Sequence, residues 1–203
     1  MARKPLTNPR KNASQDRSRA TVDALIEATA RILVREGFDK ASTNRIAEKA
    51  GVTMAAHPDD TPLPTMRGQP RLVYQPQMYQ RLIDLNPSSA NKLEFCLGTL
   101  AEMTEGDIYD TVDKYSHQGR LAYVHFRNVT GKVPHYRETF VDDGDIDMLR
   151  VIRILKANKF EGVLIPDHTP QMTCGAPWHA GMAYAMGYMR AALQVIDGIG
   201  VPK

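Results

Sequence analysis

Residues 51–62 read GVTMAAHPDDTP, and the pattern changes inside them. Gly51 and Val52 close a run with helical spacing. From Val52 onward, "VTMAA" is a short apolar, partly β-branched run that ends at His57. Pro58, Pro62 and Pro64 follow, and prolines at that density cannot lie inside a helix. The stretch therefore reads as a strand running into a loop, with His57 at the strand's end.

Three later runs repeat this arrangement. They are "LEF" (93–95), "LAYVHF" (121–126) and "GVLI" (162–165). Each is strand-like, and each carries a residue able to bind metal at or just past its end: Cys96, His125 and Asp167. From His57 the successive separations are 39, 29 and 42 residues. A strand, a loop, a helix and a return take about 30 residues or more. Helical candidates fill the intervals: "PQMYQRLIDL", "DIYDTVDKYS" and "DIDMLRVIRILKAN", with "GMAYAMGYMRAALQVI" after the last run. Strand–helix repetition predicts an α/β fold with parallel strands and helices packed outside. In barrels of this kind chemistry sits where strands end. Taken singly, a His is more often a loop or core residue, a Cys a small hydrophobe, and an Asp before a helix a cap. Four such residues at equivalent positions instead predict one metal centre made of His57, Cys96, His125 and Asp167.

The part before the seam has a different character. Residues 1–50 contain 11 Lys+Arg against 6 Asp+Glu, a net of +5, while residues 51–203 contain 15 against 17, a net of −2. All six histidines fall after residue 56. Residues 1–15 are basic and aperiodic and read as a disordered arm. Val22, Leu25, Ile26, Thr29, Ala30 and Leu33 then share one helical face, and Gly37 stands where that helix would end. Ser42 or Thr43 would cap a second short helix, with Ile46, Ala47 and Ala50 as its apolar stripe. No run of about 18 apolar residues occurs, so no membrane span is expected. Two cysteines are too few for a disulfide framework, which predicts a reducing, cytoplasmic setting.

Both parts resemble known families. "DALIEATARILVREGFDKASTNRIAEKAGVT" resembles the start of the TetR-family DNA-binding domain, through Gly37-Phe38, Ser42-Thr43, Ile46-Ala47 and Ala50-Gly51-Val52. In that family a recognition helix follows at once. Here "MAAHPDDTPLP" follows, so the resemblance implies a truncated TetR-like helical segment over residues 16–52. DNA binding is the alternative function it carries. "MAAHPDDTPLPTMRG", "LEFCLGTL", "VHFRNV", "ETFVDDGDIDM" and "IPDHTPQM" resemble consecutive blocks of mannonate dehydratase. That resemblance implies a xylose-isomerase-like TIM-type (β/α) barrel, of which residues 53–203 would be the C-terminal half. Two or three short helices would precede it.

The second resemblance implies a lyase that dehydrates D-mannonate to 2-keto-3-deoxy-D-gluconate in hexuronate catabolism. Its cofactor would be a divalent metal, manganese or ferrous iron, on His57, Cys96, His125 and Asp167. His168 resembles the family's acid/base histidine, with a supporting role beside the metal as the other reading. Arg127, Asn128 and Asp59 are expected at substrate oxygens, with Asp60 and Asp59 alternatively holding the loop. Glu138 and Asp145 are open between loop structure and substrate contact. Where some relatives carry a catalytic Tyr, this chain has "APWHAGMAY", leaving His179 or Tyr184 for that place. A half-barrel has two sheet edges, which predicts a homo-oligomer or poor stability. An inactive fusion product is the third reading.

Overall fold

A computed structural model describes residues 15–198. The expected arm at residues 1–15 lies outside it apart from Gln15. The chain divides into two compact units, Met1–Met54 and Ala55–Lys203.

The first unit is a helical pair. Helix α1 spans Asp16–Glu36 and α2 spans Thr43–Ala50, with a 3-10 turn at Phe38–Lys40 between them. Ser42, not Thr43, caps α2, its hydroxyl accepting from the Arg45 N–H at 3.3 Å. Gly51 ends α2 in the left-handed conformation (φ 71°) and its N–H reaches the carbonyls of Ala47 and Glu48. The buried face of α1 differs from the one read from the sequence. Ala28 and Ile32 are buried, while Val22, Ile26 and Leu33 are exposed. The two helices pack on each other, and Ala47 of α2 is buried with them.

The second unit carries the strands. In chain order it holds β1 (Met54–Ala56), a small hairpin of β2 (Thr65–Met66) and β3 (Gln69–Pro70), α3 (Met78–Leu85), β4 (Asn91–Cys96), α4 (Leu97–Glu102) and α5 (Ile108–His117). Then come β5 (Leu121–Phe126), a second hairpin of β6 (Val129–Lys132) and β7 (His135–Glu138), α6 (Met148–Ala157), β8 (Val163–Pro166) and α7 (Pro177–Ile196). β1, β4, β5 and β8 form one sheet in that order, and β5 runs parallel to both β4 and β8. This is an α/β architecture with a parallel sheet and helices. All four expected strand runs fall in the sheet, and all four expected helical stretches contain helices.

Side chains alternate across a strand, and here the alternation divides core from chemistry. Leu93, Phe95, Val124 and Phe126 belong to the buried core with residues of α3, α5, α6 and α7. Tyr79, Phe95 and Tyr115 stack with ring centroids 5.0–5.8 Å apart. Burying an aromatic or large aliphatic side chain contributes about 1.5–3 kcal/mol. Glu94, Cys96, Tyr123 and His125 take the intervening positions and occupy the other face. Asp107 caps α5 through the N–H groups of Tyr109 and Asp110, and Asp147 caps α6 through that of Arg150. Both caps fix where a helix leaves the loop before it.

Candidate metal centre

Register brings the expected ligands together. Glu94 stands opposite Tyr123, and Cys96 opposite His125, on parallel neighbours. His125 in turn stands opposite Ile165, two residues before Asp167. His57 lies just past β1. The result is a group in which one ligand atom each from His57, Cys96 and His125 lies within 4.8 Å of the others. Asp167 adjoins this group, with Oδ2 3.5 Å from Nδ1 of His125. The two imidazole rings meet edge-on, centroids 5.5 Å apart.

The electrostatics favour cation binding. Cys96 is fully buried, and burial pushes its thiol up. Hydrogen bonds from His125 and His57, with the nearby Arg127 charge, bring it down to about 6. The same thiolate raises His57 to about 9 against the opposing effect of burial. It also raises His125, where Asp167 and Glu94 add to the effect. Two imidazoles and a thiolate held by mutual charge are what a metal ion would bind after displacing the ring protons. The donor set fits a divalent transition metal. A second observation agrees: the Nδ1 of His125 and Oε1 of Glu94 are buried with no hydrogen-bond partner, although they are 2.9 Å apart.

Arg127 takes a place other than the one expected of it. Its side chain is fully buried just past the end of β5. The guanidinium is forked onto Glu138, with Nε 2.9 Å and Nη2 2.6 Å from the carboxylate oxygens. Nη2 also donates to Glu102 at 2.5 Å. Nη1 lies 3.2 Å from Asp60, 3.2 Å from Thr99 and 3.3 Å from the Cys96 sulfur. These partners consume its donors, so it organises the centre and has no free fork for a substrate carboxylate. Burial pushes the Glu102 carboxyl up to about 8, so the guanidinium charge is matched mainly by Glu138 and Asp60. A side chain at residue 98 would collide with Arg127, because a Cβ there would lie 2.8 Å from Nε.

Asn128 and Asp59 are also structural. Asn128 is fully buried and pins the 141–146 loop. Its amide donates to the carbonyls of Val141 and Ile146, both at 3.0 Å, and its oxygen accepts from the N–H of Val129 and Ile146. Asp59 accepts from the N–H of Leu72 and Val73 and pairs with Arg71 at 3.2 Å, closing its own loop. Asp145 accepts from the Gly131 N–H at 2.8 Å and orders the β6–β7 hairpin. Asn128, fully buried, has both its amide nitrogen and its oxygen committed to protein partners.

The expected proton-transfer residues separate. His168 follows Asp167 and is half exposed, with Nδ1 3.1 Å from Glu138. That hydrogen bond raises its pKa. In Glu138, burial pushes up, but His168 and Arg127 together hold the carboxyl below its ordinary range. Arg127, Glu138 and His168 thus form a chain from the buried centre to the surface. Tyr184 hydrogen-bonds Asp142 at 2.6 Å and stacks on Phe140. His179 is exposed in the first turn of α7 and makes no hydrogen bond or ion pair among the described residues. The sequence reading missed Glu94, Tyr123 and Glu102. The strand period could have found the first two, since each stands two residues before a candidate ligand on the same strand.

Residues 42–199 match the D-mannonate dehydratase (UxuA) family. The mannonate dehydratase of Streptococcus pneumoniae (strain 70585) is 35% identical over 124 residues, covering 60% of this chain and 34% of that protein. That of Geobacillus thermodenitrificans (strain NG80-2) is 32% identical over 129 residues, covering 61% and 34%. The chain therefore spans about a third of the length of these relatives. The crystal structure of mannonate dehydratase from Streptococcus suis serotype 2 superposes with a TM-score of 0.67 at 28% identity, over 78% of this chain and 48% of that one. A D-tagatose 3-epimerase-like protein superposes with a TM-score of 0.59 at 17% identity, over 76% of this chain and 52% of that one, and shares the fold alone.

Proposed function

The chain belongs to the D-mannonate dehydratase family, and from that premise we propose that it is a metal-dependent hydro-lyase acting on D-mannonate. The observation that carries this reading is the convergence of His57, Cys96 and His125 at the ends of three strands, with Asp167 beside them. The four would hold a divalent ion, manganese or ferrous iron. When bound, such an ion supplies Lewis-acid stabilisation of the charge that develops when the C2 proton leaves.

The chain's own residues would do the rest. Glu138 holds His168 by Nδ1, which fixes the ring, and Nε2, 3.9 Å from Oδ1 of Asp167, would exchange the proton with substrate beside the metal centre. His168 would take the C2 proton and pass it to the C3 hydroxyl, which leaves as water; the resulting enol gains a proton at C3 and loses its hydroxyl proton to give 2-keto-3-deoxy-D-gluconate. Arg127 keeps Glu138 charged and so keeps His168 oriented. Tyr184, held by Asp142, and His179, exposed in the first turn of α7, would be the candidates for the second proton transfer.

The rest of the organisation follows the same reading. Residues 53–203 would be the C-terminal half of a xylose-isomerase-like barrel, with β1 and β8 as its sheet edges. Two such edges favour a homo-oligomer. Residues 16–52 would be a truncated TetR-like segment, although the family match begins at Ser42 and so overlaps α2. No observation favours the DNA-binding reading over the lyase. Among the described residues no helix is long and apolar enough to cross a membrane, and both cysteines are free. A cytoplasmic setting suits those thiols.

The test is bound metal and D-mannonate consumption by the full chain after incubation with Mn(II) or Fe(II). The expected result is about one ion per chain, lost in Cys96→Ser, and turnover lost in His168→Asn with the metal retained. Metal bound without turnover would leave a member of the family by descent, and no bound metal would refute the centre itself.

A further inference from the structure

The ligand set read above stops at four residues and leaves out Glu94. This carboxyl is 5% exposed. It lies two residues before Cys96 on β4 and therefore on the same face of the sheet. Tyr123 donates its hydroxyl to Oε2. Oε1 has no hydrogen-bond partner. That bare oxygen is 2.9 Å from Nδ1 of His125 and 3.4 Å from Nε2 of His57. Nδ1 of His125 likewise makes no hydrogen bond, and Oδ2 of Asp167 is 3.5 Å from it.

These spacings have a simple source. Donors to one ion with bonds of about 2.1 Å stand about 3.0 Å apart in an octahedron and about 3.4 Å apart in a tetrahedron. Oε1 of Glu94 and the nearby nitrogens are spaced like donors around a common point. Oε1 has ion-pair contacts with the two imidazoles but no well-formed hydrogen bond, a costly arrangement for a buried carboxylate oxygen, and a cation that displaces the ring protons would relieve it. Tyr123, by holding Oε2, leaves Oε1 aimed at that point.

We propose that Glu94 is a further ligand of the divalent cation, its Oε1 completing a centre of five protein donors with His57, Cys96, His125 and Asp167. The inference rests on the metal-binding reading above. A second carboxylate takes the donor set beyond the four that zinc prefers and adds oxygen character, which favours manganese and ferrous iron. It separates this centre from a plain two-histidine, one-thiolate, one-carboxylate site.

The test compares the full-length chain with Glu94→Gln, loaded with Mn(II), Zn(II) or Co(II). The variant should bind Mn(II) about tenfold more weakly or worse, lose much less affinity for Zn(II), and show a changed Co(II) d–d spectrum. An unchanged Co(II) spectrum, with or without weaker Mn(II) binding, would overturn the proposal, because a carboxylate that only orients the imidazoles leaves the coordination number alone. If the variant does not fold, a Mn(II)-soaked crystal of the wild-type chain decides. Oε1 within about 2.4 Å of the ion supports ligation, and beyond about 3 Å overturns it. A wild-type chain that binds no Mn(II) refutes the metal reading and this inference together, whereas a wild type that binds it beside an indifferent variant refutes this inference alone.

Discussion

Replacing Arg127 with methionine would remove the buried guanidinium while leaving most of its volume filled. The wild-type group is fully buried, forked onto Glu138, and hydrogen-bonded to Glu102, Asp60, Thr99 and the Cys96 sulfur. Removing one partner of a buried ion pair costs about 3–5 kcal/mol. With a urea m-value of about 2 kcal/mol/M, the midpoint should fall by about 1.5–2.5 M. Far-UV circular dichroism across a urea series measures it. Glu138 is the partner left charged, so Glu138→Gln should cost less in the Arg127→Met background than in the wild type. The expected coupling is about 1.5 kcal/mol or more. A loss below about 1 kcal/mol with m unchanged, the scale of a surface pair, would refute the claim that this guanidinium holds the centre together.

Three further outcomes follow from named contacts. Gly98→Ala should destabilise the chain by about 1–3 kcal/mol in a thermal or urea melt, because the new Cβ would meet the Arg127 side chain, whereas Gly175→Ala, with open space around it, should not. Asn128→Ala leaves the carbonyls of Val141 and Ile146 and the N–H groups of Val129 and Ile146 without this partner, and should cost about 2–4 kcal/mol in the same melt. Metal affinity should depend on pH with a definite sign. His57 is raised to about 9, so in the metal-free chain it is protonated at neutral pH and must lose that proton to bind. Apparent Mn(II) affinity, followed by electron paramagnetic resonance of the free ion, should therefore climb as pH rises toward about 9. Because the Cys96 thiol is lowered to about 6, it should steepen the dependence only at and below that pH. A flat profile between pH 6.5 and about 9 would contradict the thiolate–imidazolium arrangement.

The four strand runs and four helices were legible because their apolar periods differ and each closes on a recognisable stop. Both hairpins escaped notice. β2–β3 has two residues per strand, and β6–β7 carries Lys132, His135 and Arg137 without an apolar alternation. The convergence of His57, Cys96 and His125 was legible because these residues recur at strand ends. Partners were harder to read. "HFRNV" shows an arginine after a strand, but its burial is decided by Glu102 and Glu138, 25 residues before it and 11 after it. Asn128 and Asp59 are polar residues beside a site whose work is to close loops, and a single sequence shows residue type and not what the side chain faces. In α1 the apolar residues spread too widely to select one stripe, and packing on α2 selects the face holding Ala28 and Ile32.

Glu138 sits on β7, the second strand of a hairpin tied back to α4 by few bonds: Lys132 to the carbonyls of Ala101 and Met103, and the Val133 N–H to that of Glu102. Through this one carboxylate, the hairpin supports both the buried guanidinium and the exposed imidazole of His168. If the hairpin lifts, the exposed imidazole of His168 and the buried guanidinium beside the Cys96 sulfur lose the same support in one event. Whatever opens the hairpin therefore loosens the buried arginine and the exposed histidine together, so the local stabilities of the two are linked.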